Sequence, residues 1–191
     1  SAMVDIPIKC LFKGKKAEAF KETAPYLLDM SIQEEAWANR DSVPSFLQDF
    51  FAQHWGQETG IFIRTTALFD EVWQHFRKFT RVQMEADKRW VLFRFWEPRT
   101  LDVFLTTLDK QDAHKFLAAH QVIKATENGL TAYQVTHPIH DEQRHSLAPF
   151  IMKNKYLQAF SDHKVEQFLD KLTDFISAES ESFAQLPDEQ K

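Results

Sequence analysis

Two groups of side chains in this chain have the types and spacing for chemistry, and one further residue stands alone. His137, His140 and His145, with Asp141 and Glu142, are ligands that zinc and similar ions favour. A structural zinc site needs four ligands fixed in a tetrahedron. A polar connection reading His-Pro-Ile-His does not fix them, so they read as solvated loop histidines and no metal is expected. Arg94, Glu97 and Arg99 form the second group. As a functional set they would bind an anion. As a structural set, Arg94 is a paired core cation, Glu97 approximates a helix cap and Arg99 lies on the first helical turn. The structural reading is preferred, because a cation near a helix N-terminus opposes the helix dipole and implies a carboxylate close by. Cys10 sits in a predicted strand with no motif beside it and reads as an inert thiol. No nucleophile elbow, zinc-protease motif, phosphate-binding loop or dinucleotide fingerprint occurs, so no catalytic residue and no cofactor are expected.

The element that must position Arg94 is the stretch Arg89 to Arg99. Alternation places Trp90, Leu92, Arg94 and Trp96 on one face and Val91, Phe93 and Phe95 on the other. Both faces are apolar apart from Arg94, which predicts a central strand covered on both sides. On that reading Arg94 is desolvated and tied to Glu97, Asp102, Asp70 or Glu71, because an unpaired buried charge is very costly. Pro98 ends the strand and suits the first position of a helix carrying Leu101, Phe104, Leu105 and Leu108.

The rest of the pattern predicts strands at Ile6–Phe12, 24–30, Gly60–Arg64 and Thr80–Met84, the last forming an antiparallel hairpin with the Trp90 strand. Helices are expected at 15–23 and 32–39, and at 44–55 behind a cap at Asp41 or Ser42. Another is expected through Leu68–Phe76 behind Thr65 or Thr66, and one from an Asp112 cap through Leu117. Gln121–Ala125 and Thr131–Thr136 read as two edge strands around Glu127-Asn128-Gly129. Ile151, Tyr156, Leu157 and Phe160 mark one further helix, and Val165, Phe168, Leu172 and Phe175 mark another. That last stripe is either core, the preferred reading, or the wall of a groove for a partner helix. The fold class expected is α/β in the broad, α+β sense: a mixed sheet flanked by helices. An α/β body spans 4–140, a C-terminal helical lobe packed on it spans 146–178, and a disordered acidic tail spans 179–191.

Composition narrows the function. The chain of 191 residues holds 18 Phe and five Trp but only four Gly, which favours packed elements over glycine-built phosphate loops. A formal charge of −5 gives no basic footprint for nucleic acid. No apolar run approaches a membrane span, and the single cysteine fits a reducing compartment, so a cytoplasmic protein is expected. Ser1-Ala2 ahead of Met3 reads as a cloning remnant.

The order of motifs resembles the type VI secretion effector chaperones, also called effector adaptor proteins. The resemblance is carried by Ala24-Pro25-Tyr26-Leu27-Leu28, by Gly60-Ile61-Phe62-Ile63, and by Leu68 with His75-Phe76-Arg77. Its most specific part is Phe93-Arg94-Phe95-Trp96-Glu97-Pro98-Arg99-Thr100-Leu101, and Tyr156 to Phe160 also fits. Glu97 stands where the family signature has aspartate. Family members usually carry a further strand and helix before the segment matching Cys10–Gly14, which implies a reduced N-terminal lobe here. The resemblance implies a non-enzymatic cytoplasmic protein that binds a toxic effector and assists its loading onto the VgrG spike, with no nucleic acid or membrane partner. The rival expectations are a metal- or nucleotide-dependent hydrolase built on Arg94, Glu97 and Arg99, and an immunity-type toxin-binding protein.

Overall fold

A computed structural model describes residues 6–31, 45–126, 129–135 and 148–179. Its strands are β1 (Ile8–Cys10), β2 (Tyr26–Leu28), β3 (Phe62–Arg64), β4 (Arg81–Met84), β5 (Trp90–Leu92), β6 (Gln121–Thr126), β7 (Gly129–Tyr133) and β8 (Ile151–Met152). Its helices are α1 (Lys15–Ala19), α2 (Ser45–His54), α3 (Phe69–Arg77), α4 (Pro98–Thr107), α5 (Lys110–Leu117) and α6 (Asn154–Glu179). The fold is mixed α+β, as expected, but the strands form three small sheets instead of one. These are the pair β1–β2, the order β3–β6–β7, and the order β5–β4–β8. The expected helix at 32–39, the cap at Asp41 or Ser42, the Glu127-Asn128 turn, the three histidines and residues 180–191 lie outside the described residues.

Several expectations need correction. The Trp90 stretch is an edge strand of three residues, antiparallel to β4 with Val82 opposite Val91. Trp90 and Leu92 face water, while Phe93 and Phe95 are buried, so the strand is covered on one side only. Its ladder ends where Phe93 N–H donates to the Thr80 carbonyl. β6 is the middle of its sheet, with β3 on one side and β7 on the other, both antiparallel. Ile151 belongs to β8, which runs parallel to β4. The two helices read from the C-terminal stripes are one, α6. Caps also moved. Leu68, not a threonine, precedes α3, and the Glu71 carboxylate accepts its backbone N–H. Asp109, not Asp112, caps α5.

The core is aromatic, and its hub is Phe116 of α5. Phe76, Phe79, Phe95 and Phe104 surround it, with ring centroids 4.9–5.7 Å away and edges turned to faces. Such pairs contribute about 0.5–1.5 kcal/mol each beyond the area they bury. Phe104 in turn meets Phe93, Phe150 and Tyr156. Helix α4, the residues that follow β5 and precede β8, and the start of α6 therefore share one packed centre.

Candidate functional site

The signature segment begins where β5 ends. Glu97 N–H donates to the Arg94 carbonyl, which closes a tight turn, and Leu101 N–H then donates to the Glu97 carbonyl as α4 begins. Glu97 is the N-cap and Pro98 opens the helix. The Glu97 side chain does not bond the helix backbone. One oxygen takes the Arg94 guanidinium at 2.6 Å and the other accepts from the Thr100 hydroxyl. Arg94 thus has the expected partner Glu97, but not the expected burial. Its side chain is 59% exposed, because the strand stops before reaching it. Arg99 donates to Glu58 at 2.6 Å and ties α4 to the segment before β3. Each guanidinium closes on a separate carboxylate, so the two do not converge on one anion centre. Between them, Phe95 is buried against Phe76 and Phe116, and Trp96 packs its edge on Phe12. The segment works as a clamp on its neighbours.

A polar cluster that the sequence did not disclose joins α5 to α6. Asp109 accepts from Lys153, Lys155, the Tyr156 hydroxyl and Asp112 N–H. Asp112 is 5% exposed and accepts from Lys153 and Lys115, and from the Tyr156 hydroxyl at 2.7 Å. The Lys153 ammonium, then the Asp112 N–H, hold the Asp109 carboxyl well below its ordinary range. Burial pushes Asp112 up, but its hydrogen bonds from Lys153, Tyr156 and Lys115 outweigh that and keep it lowered. Lys153 is raised, first by Asp109 and then by Asp112. Burial and then Asp112 raise the Tyr156 phenol. The spacing Asp109-x-x-Asp112 could have signalled a cap followed by a first-turn acid. Nothing local connects it to Lys153.

A smaller cluster does the same for α4. Asp102 accepts from Lys124 of β6 and from the Tyr133 hydroxyl of β7. Burial raises Asp102, but these two donors together lower it. Two histidines sit among the core aromatics. The His75 ring, Nε2 protonated, donates to the Phe116 carbonyl, and His120 lies against Thr65. Cys10 keeps its thiol close to Phe12 N–H. Among the described residues, no group of three His, Cys, Asp or Glu side chains is placed to hold a metal ion.

The surface that stands out is on α6. Tyr156, Leu157 and Phe160, in its first turns, pack on the core. Beyond them Val165, Phe168, Leu169, Leu172 and Phe175 are all exposed, Phe168 at 64%. The preferred reading of this stripe as core is therefore overturned. The residues recur at intervals of three and four, so they share one face of a continuous helix about 39 Å long. Lys164 and Lys171 border that face on one edge and Glu166 on the other. At its near end the face runs into a shallow groove against Val103, Thr106 and Thr107 of α4. No described helix is long and apolar enough to cross a membrane.

Comparison with known proteins gives one match. The family described as "Domain of unknown function (DUF4123)" covers residues 4–115, more than half of the chain. Neither a curated protein nor a solved structure matches it.

Proposed function

The chain belongs to the DUF4123 family, and from that premise we propose that it is a cytoplasmic chaperone and adaptor. It binds a toxic effector of a type VI secretion system and assists its loading onto the VgrG spike. The observation that carries this reading is the exposed apolar face of α6. Contiguous apolar surface of this kind marks a site of association, and spacing of three and four suits an amphipathic helix laid along it. The order of signature motifs supports the same reading. The helix that carries the face is anchored at its start, where Tyr156, Leu157 and Phe160 pack on the aromatic core.

The test is co-expression with the effector encoded beside its gene. The expected result is a co-purifying complex and a more soluble effector. A double variant, Phe168→Asp with Leu172→Asp, should melt like the parent yet lose the effector. A parent protein that neither captures nor solubilises the effector would sink the proposal. Protection of a target cell by this protein alone would favour the immunity reading instead.

A further inference from the structure

Trp73 of α3 gathers three cations onto one indole. Lys9 Nζ lies 5.2 Å from its ring centroid, Lys13 Nζ 5.5 Å, and the Arg77 guanidinium 5.0 Å. The ring is held in place because its N–H donates to the Cys10 carbonyl at 2.8 Å. Cations attract the face of an indole, but they repel one another, and one aromatic ring does not offset that. One carboxylate is at hand: Asp70, 2.5 Å from Lys9. Among the described residues Lys13 meets no carboxylate. The Arg77 Nε is buried with no hydrogen-bond partner. A buried unsatisfied donor is costly and rare in folded proteins. Gly14, with φ of +59°, lets the chain turn sharply after Lys13 into α1, which opens at Lys15.

We propose that this cluster is a docking site for the carboxylates of an acidic peptide segment. Two unpaired cations from separate elements, Lys13 after β1 and Arg77 at the end of α3, suit two carboxylates on one extended chain. A long polyanion such as nucleic acid is disfavoured, because the chain as a whole carries −5 and would repel it beyond the cluster. The site uses no residue of α6 and does not rest on the adaptor reading.

The test follows the Trp73 indole N–H resonance, assigned with Trp73→Phe, while the full chain is titrated at low salt. The probes are a short glutamate-rich peptide, its glutamine analogue, inorganic phosphate and duplex DNA. The acidic peptide should shift the resonance and the glutamine analogue should not. Lys13→Gln and Arg77→Gln should each weaken the peptide by about two- to fivefold at low salt. Lys13 is in an exposed loop, so that variant stays folded even if Arg77→Gln does not. Undiminished binding by Lys13→Gln overturns the proposal. So does a response to the glutamine analogue, or tighter binding of DNA. Phosphate acting at the same concentration as the peptide would mean an adventitious ion only.

Discussion

Arg94 and Asp112 each hold a salt bridge, but water reaches only the first freely. Arg94 is solvated and its pairing with Glu97 is local, so Arg94→Ala should cost no more than about 1 kcal/mol. Asp112→Ala should cost about 1–3 kcal/mol, since it removes the 2.7 Å acceptor of the buried Tyr156 hydroxyl and one of the two carboxylates of Lys153, leaving both groups only Asp109. Urea unfolding of the two variants checks the contrast. Acid titration of the parent adds a sign. Asp102, Asp109 and Asp112 are all held below 3.8 in the folded state. Their contribution is complete above the unfolded carboxyl value of about 3.9 and drains away as pH falls through the lower folded values. Asp112→Asn should therefore flatten the acid limb of the stability profile. Lys153, Tyr133 and Tyr156 are raised, so they contribute fully below about pH 10 and lose that contribution above it. The partner of Arg94 was legible in the sequence because it is three residues away. Its exposure was not, because alternation tells which residues share a face and not whether anything covers that face.

The same gap appears in α6, one level up. The stripe of Val165, Phe168, Leu172 and Phe175 was legible as a helical face, and even as the wall of a groove. What remained hidden was that it stays exposed, with only its near end meeting α4. Phe168→Ala should accordingly leave the melting temperature almost unchanged, whereas Phe104→Ala should cost about 3–5 kcal/mol through lost burial and the cavity left behind. Thermal melts of the two variants decide it, and a large loss at Phe168 would restore the core reading. Other elements were misread for a similar reason. β8 is two residues long and exists through its ladder to β4, 68 positions earlier at Gln83–Ile151. A pairing over that distance leaves no local periodicity, so Ile151 reads from the sequence as part of the following helix. By contrast, the hairpin β4–β5 and the Pro98 helix start were readable, because turn and proline signals are local.

At the scale of the whole molecule, the matched family region and the packed unit do not coincide. Residues 4–115 stop just before Phe116, the hub of the core, and lack β6, β8 and Tyr156. A fragment limited to those residues should show no cooperative melt and should bind a hydrophobic dye, while the chain through residue 179 melts as one transition. Circular dichroism of the two tests this; a sharp two-state transition in the fragment would show that the later elements are accessory.

The parallel pairing of β8 with β4 also sets a clock. On the ribosome, the segment from Phe116 to Phe160 must still emerge after α3, α4 and the hairpin have formed. At about 5–20 residues per second that takes roughly 2–9 s, far longer than the microseconds in which helices and hairpins form. Through that interval Phe76, Phe79 and Phe104 have partners still being made, and any neighbouring nascent chain can offer them substitutes. Slowing translation over 116–160 lengthens the exposure and should raise the aggregated fraction, with the finished protein no less stable than before.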